Sequence, residues 1–420
     1  MSIIIAYIVF FLFTFPRAIS IDRMFGIYYF FLFIYSIFAL FGYLFLPGLS
    51  ESIYAYFGDD VGYEAAYFCF ASLAGFFFLN YALLRRRKVT RVVSVSISPS
   101  ITPIGLATLG VLTVVFTIML IINFEQLSWY LSDYVGAMGA GISIFLALYK
   151  ISVGLLLVCY CIVRSNINSG RVFVVLSLLY FLAFAIASIR LGNRTDPAAF
   201  MLGVMVFELG RRKLSFRTFF WTGAAGIVAV IALSLIEHFR YAGGGGEREF
   251  VARIVQNDYY APAHMLFAAI AYDFVRPIEV IKSNSANAFI LLNYPYLHET
   301  VTDLFKLNVA TRAQGYAFYI FTEGWMALGK LGFIYNWIIP TAGLMLWRNI
   351  ARTNNPFVNN VIISLMACMT INLVRSQSSY FVKYIYTFII PALLFLALLI
   401  AFRFARDTMS RSSLESRWKG

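Results

Sequence analysis

GYAFYIFTEGWMALGK, residues 315–330, is apolar enough to pass for a membrane-spanning segment, and its reading decides the fold. If it spans, the run RNIAR at 348–352 and the basic tail from Arg403 lie on the opposite side of the membrane from the other short basic runs. If it does not, every short basic run lies on one side. Short cytoplasmic loops collect Lys and Arg, so the stretch predicts an external or re-entrant helix that closes a long loop from 237 to 330.

Composition sets the class. Of 420 residues, 61% are hydrophobic, 18% aromatic and only 13% charged, whereas a soluble domain holds about a quarter of its residues as charges. This is the make-up of a polytopic membrane protein. The net charge of +13 sits in short runs between apolar segments, the pattern of loops facing anionic lipid; it argues for membrane lipids as partners and against nucleic acid. Cys69, Cys159, Cys161 and Cys368 all fall in apolar stretches without metal-ligand spacing and read as small core residues. The opening MSIIIAYIVFFLFTF has no charged leader and no small-residue cleavage site, so it reads as a retained first span.

A spanning helix needs about 20 mostly apolar residues. Eleven stretches qualify: 2–16, 27–48, 63–84, 103–123, 138–163, 172–189, 197–210, 218–236, 331–347, 357–374 and 384–404. Placing the connector with Arg17 and Arg23 in the cytoplasm and alternating from there gathers 20 of the 33 basic residues on that side, including RRRKVTR at 85–91 and RRKLSFR at 211–217. The expected fold class is therefore an all-α polytopic membrane protein of about 11 transmembrane helices. It divides into a bundle at 1–236, the large loop at 237–330, three more spans at 331–404 and a basic tail at 405–420. In a bacterial host this is the inner membrane, with the loop in the periplasm. Inside the loop, APAHMLFAAIAYDF (261–274) predicts an amphipathic helix lying on the membrane surface, and GGGG (243–246) a flexible joint that would let the loop close as a lid.

Twelve basic residues fall on the external side, where topology gives no reason for them. IRLGNRTDPAAF (189–200) puts Arg190 and Arg194 into a connector of about eight residues, ahead of a helix that Asp196 and Pro197 would start. Guanidinium forks beside a helix N-terminus can hold an anion; the plainer account pairs one arginine with Asp196 and lets the other reach lipid phosphate. Arg375, in RSQSSYFVK, and Arg312 are two more candidates for the same anion. Glu323 is the carboxylate placed to be held in an apolar setting, and His264 is its competitor as general base; both could equally be structural, as could His298. Lys150 in the fifth span needs a partner or a water-filled cavity. Tyr259, Tyr260, Tyr316 and Trp325 could stack on sugars, although membrane interfaces are rich in such rings anyway. No acidic cluster suggests a metal, and no cofactor is implied.

RLGNRTD after the sixth span, TEGWMALGKLGFIYN before the ninth, and one dominant loop ahead of the last three spans resemble the O-antigen polymerase family, the Wzy type of repeat-unit polymerase. Members often show an Arg-x10-Gly pattern, whereas here eleven residues separate Arg312 from Gly324. The resemblance implies a GT-C-like, metal-independent glycosyltransferase. Its donor and acceptor would be undecaprenyl-diphosphate-linked oligosaccharides at the periplasmic face, and a chain-length regulator would be a further partner. It also implies Arg190, Arg194, Arg312 and Arg375 as the diphosphate site, with Glu323 or His264 as base. An O-antigen ligase, or a lipid-linked oligosaccharide flippase, would share much of this pattern.

Overall fold

The computed structural model describes residues 2–45, 57–85, 98–130, 140–165, 170–191, 195–211, 261–288, 297, 318–353 and 355–403. The expected span at 218–236 and the glycines at 243–246 lie outside them. The described chain is almost wholly helical: α1 (Ser2–Ile21), α2 (Arg23–Phe45), α3 (Asp59–Arg85), α4 (Pro103–Tyr130), α5 (Ala140–Arg164), α6 (Gly170–Leu191), α7 (Thr195–Arg211), α8 (Ala261–Ala271), α9 (Pro277–Ala288), α10 (Ile320–Leu328), α11 (Gly332–Ala351), α12 (Pro356–Val374) and α13 (Tyr380–Leu399). Helix α13 contains a π-helical turn at Ile385–Ile389. Two four-residue strands, β1 (Ser98–Ile101) and β2 (Ile400–Arg403), pair antiparallel, a small departure from an all-helical chain.

Among the described residues, eight helices, α1 to α6 with α12 and α13, are long and apolar enough to cross a membrane, and the protein is a multi-pass membrane protein. The first is longer than expected because the helix continues through Pro16 to Ile21. A single residue, Asp22, then separates it from α2 and accepts a hydrogen bond from the Phe25 amide at 3.1 Å. So tight a turn depends on Gly26, where a Cβ would lie 2.6 Å from the Ile19 Cα. The seventh and ninth expected spans appear as α7, only 17 residues long, and α11.

Inside a bilayer polar groups must find partners within the protein, and the helices are tied in this way. Tyr7 meets Ser36 at 2.5 Å, Thr14 meets Tyr29 at 2.6 Å, Tyr149 meets Ser188 at 2.8 Å, and Asn80 donates to Thr341 at 2.7 Å. Such bonds contribute roughly 0.6–2 kcal/mol each. Stacked and edge-on rings, such as Phe11 on Phe33 at 3.8 Å, fill the core around them.

Contacts between helix ends sort the connectors onto two faces. On one, Arg348 pairs with Asp22 at 3.3 Å, Arg164 with Glu208 at 2.8 Å, Asn360 donates to the Phe207 carbonyl, and β1 pairs with β2. All of these come from connectors with basic runs. On the other, Lys330 pairs with Glu64 at 2.9 Å, Phe267 of α8 stacks on Tyr43 at the end of α2, and Arg190 reaches Phe124. We call these the basic face and the loop face. Helix α7 ends on the basic face, whereas α8 begins on the loop face.

One expectation is corrected. Helix α8 does not lie on a surface, since Met265 to Ile270 are all buried against α2, α3 and α10. Its run of apolar residues wraps all sides, and a helix apolar all round is a buried one.

The two faces make a direct prediction. Topology reporters fused after Arg217 and after Arg406 should read from one side, and a reporter after Val275 from the other. Matching signals at Arg217 and Val275 would sink the arrangement.

Candidate functional site

The loop-face elements converge on α10. Its N-terminal neighbour Tyr319 donates its hydroxyl to the Leu32 carbonyl at 2.8 Å. Leu32 lies nine residues into α2 from Arg23, about 14 Å along the helix axis. Helix α10 thus enters the bundle and comes back out, with nine residues that cannot span. Every residue from Ile320 to Ala327 is buried. The turn from α10 into α11 is a close backbone approach: a Cβ on Gly332 would lie 2.0 Å from the Gly324 carbonyl oxygen, and one on Gly324 2.4 Å from Asn336 Oδ1.

Glu323 sits in this re-entrant helix with no exposed surface. Its Oε1 accepts from Asn284 Nδ2 of α9 at 2.6 Å, from the Tyr335 hydroxyl of α11 and from Ser378 Oγ at 2.6 Å. Its Oε2 accepts from the Ser378 backbone amide at 2.7 Å. Burial pushes the Glu323 carboxyl above its ordinary range, and the bonds from Ser378, Tyr335 and Asn284 oppose that shift.

A second ring of contacts braces the same loop. Gln377 is buried; its Nε2 donates to Ser379 Oγ at 2.9 Å and to Asn284 Oδ1 at 3.2 Å, while its Oε1 accepts from the Leu297 amide at 3.0 Å. The Ser379 amide also donates to Asn284 Oδ1, at 3.2 Å. The connector RSQSS at 375–379 is therefore pinned by side chains from α9 and α10. Its first residue, Arg375, is half-buried; its carbonyl accepts from the Phe318 amide at 3.1 Å and its guanidinium donates to Thr195 Oγ1, at the start of α7, at 3.4 Å. Asp196 is buried on that same helix end.

Chemically this is a polar core that fixes the connector carrying Arg375. A carboxylate receiving four donors has little capacity left to take a proton from a substrate hydroxyl, so Glu323 acts here as a clamp on the loop. The reading of Trp325 as a sugar-stacking ring is corrected: its ring is 2% exposed and edge-on to Phe68 at 5.3 Å, with no face open to a sugar.

Arg190 is not brought to this group. Ser188 faces α5 through Tyr149, and two residues further along a helix turn about 200°, so Arg190 faces α4. There its Nε donates to the Phe124 carbonyl at 3.3 Å and its guanidinium lies 4.6 Å from the Phe124 ring centre. Lys150 is exposed on α5. His264 belongs to α8, but its side chain lies outside what is described, as do Arg194, Arg312, Tyr259, Tyr260, Tyr316 and His298.

Asn284, Tyr335, Gln377 and Ser378 were not singled out from the sequence. The signal for Asn284, Gln377 and Ser378 was present in KSNSANA (282–288) and RSQSSYF (375–381), two small polar runs among apolar segments. Comparison with models of protein families, with curated proteins and with solved structures finds no match.

The clamp is testable. Glu323→Ala strands the Ser378 amide, the Tyr335 hydroxyl and the Asn284 amide, at about 1–3 kcal/mol per buried donor, so thermal unfolding in detergent should shift down by at least about 3 kcal/mol. The sign of the pH dependence follows from a raised folded-state pKa. The contribution of Glu323 is greatest below the ordinary glutamate pKa, falls as pH rises from there through the raised value, and is flat above it. Glu323→Gln should remove that slope from a Tm-against-pH profile; an unchanged slope would show that the carboxyl does not titrate as described.

Proposed function

We propose that the chain is an integral-membrane glycosyltransferase that polymerises undecaprenyl-diphosphate-linked oligosaccharide repeat units at the periplasmic face of a bacterial inner membrane. In this reading the bundle has eleven spans, and the loop face is the periplasmic one. The observation that carries it is Arg375. It is a half-buried arginine on a connector clamped by the buried Glu323. A planar guanidinium on a connector fixed in this way is suited to an anionic diphosphate.

The reaction moves a glycan from its diphosphate carrier to a hydroxyl of the next repeat unit. The bond from the anomeric carbon to the diphosphate oxygen breaks, a bond to the acceptor oxygen forms, and the hydroxyl proton leaves to a base. Charge builds on the leaving diphosphate, so a pre-positioned guanidinium lowers the barrier most when its loop cannot drift. Arg375 takes this part, and Glu323, Asn284 and Gln377 position it. Arg194 and Arg312 remain candidates for the second phosphate, and His264 for the base. Binding a lipid-linked donor and acceptor in the plane of the membrane accounts for a site recessed among helices rather than on a soluble domain.

The reading is tested by lipopolysaccharide banding. A deletion strain should lose the polymer ladder while keeping one repeat unit on the core; loss of all O-antigen would point to a ligase or flippase. Complementation with Arg375→Ala should leave single repeats at normal protein level. Arg375→Lys should restore the ladder poorly, because an ammonium cannot supply the planar fork. A full ladder from Arg375→Ala would refute its role.

A further inference from the structure

A lysine lies within the membrane-spanning part of α5. Lys150 comes six residues after Ile144, where the apolar span begins, so its backbone is about 9 Å deep. It is exposed, and among the described residues no hydrogen bond or ion pair reaches it. A charge at that depth calls for a partner or a water-filled cavity.

Helical phase says which way Lys150 points. Gly154, Leu157 and Cys161 follow it at four, seven and eleven residues, all within about 40° of it around the helix, and all three are buried. Gly154 meets α13, since an added Cβ would lie 3.0 Å from the Phe388 ring; Leu157 meets α7, 2.8 Å from an added Cβ on Gly203. Lys150 therefore stands on the inward face of α5, and not on a lipid face from which a lysine extends to the head groups.

Depth gives it a neighbour. Helices α5 and α7 both run from the loop face to the basic face, and from the contact of Leu157 with Gly203 Lys150 lies about 10.5 Å toward the loop face and Thr195 about 12 Å. Beside Lys150, Tyr149 is within reach of the charge of Asp196. Helix side chains lean toward the N-terminus, so the ammonium leans toward the first turn of α7. Arg375 comes to that same turn, its guanidinium donating to Thr195 Oγ1 at 3.4 Å. Two cations carried on separate elements match two phosphates joined through one oxygen, with the guanidinium on one and the ammonium on the other. At this depth the anion is one that a lipid chain carries.

We propose that Lys150 binds the second phosphate of a lipid-linked diphosphate whose first phosphate meets Arg375. The assignment rests on the glycosyltransferase reading for its substrate and gives that substrate a second ligand within the described residues.

The test is a titration of the purified full chain in nanodiscs with undecaprenyl diphosphate and with undecaprenyl phosphate, followed by native mass spectrometry. Lys150→Ala, at an exposed position where no partner is stranded, should weaken the diphosphate about tenfold, the value of one charge-assisted hydrogen bond, and leave the monophosphate as in the wild type. Lys150→Arg, which keeps the cation, should retain most of the diphosphate affinity. Unchanged diphosphate binding by Lys150→Ala would overturn the proposal, and so would an equal loss for both lipids. A second variant tests the inward placement: Lys150→Cys should react with a water-soluble thiosulfonate, against a background of four buried native cysteines, and undecaprenyl diphosphate should protect it. An unreactive thiol, or one that the lipid does not protect, would overturn the assignment. Neither measurement needs catalysis. If Lys150 carries diphosphate binding but a deletion strain keeps its ladder, the transferase reading falls and the site stands. If the deletion strain is left with single repeats while Lys150→Ala restores the full ladder and binds the diphosphate normally, the site falls and the reading stands.

Discussion

The bond from the Ser378 amide to Glu323 is the interaction on which the centre of this protein depends. A connector between two membrane helices has backbone groups with no helical partner, and within the bundle there is little water to take them. Something must accept that N–H. A carboxylate does so strongly, and its second oxygen gathers Asn284, Tyr335 and the Ser378 hydroxyl. One acidic side chain thereby joins α9, α10, α11 and the connector into α13.

That arrangement requires α10 to enter the bundle, and the glycines explain how it can. Gly324 and Gly332 allow the re-entrant helix and α11 to approach at backbone contact distance. This places Glu323 beside Tyr335, twelve residues further on. Any side chain at either glycine would push α10 away from α11 and leave the carboxylate buried without its donors, the costlier half of an unmade hydrogen bond. The motif TEGWMALGKLG is thus a packing device that holds a charge in place.

Much of this was legible in the sequence, because hydropathy and the placement of cations act over long stretches and do not depend on detail. The eight described spans, the paired faces and the non-spanning character of α10 follow from those two signals. What periodicity could not supply was the side of burial. For α8 and Trp325, apolar and aromatic character fits a membrane interface and a protein core equally well, and only the neighbours, α10 in one case and Phe68 in the other, decide. The role of Glu323 was hidden for a related reason. An apolar setting does raise its pKa, as expected, but whether a buried carboxyl is a base or a clamp depends on how many donors meet it, and those come from residues 39 and 55 positions away in the chain.

Arg190 and Arg375 show how one sequence signal can divide into two physical roles. Each is a cation in a short connector that topology does not ask for, and each sits at the loop-face end of a helix. The difference is angular. Arg190 lies about half a turn from Ser188, whose hydroxyl is committed to α5, so it must face α4 and the lipid, where the Phe124 ring and carbonyl receive it. Arg375 leaves α12 at its last turn, where the chain bends into the connector that Glu323 holds, so it points to α7 at Thr195. An arginine directed to lipid can be neutralised by a head group at small cost, since it can reach the interface. One directed inward is held where the connector puts it, against Thr195 at the start of α7. Helical phase, not sequence neighbourhood, therefore separates a lipid contact from a residue that can take part in chemistry.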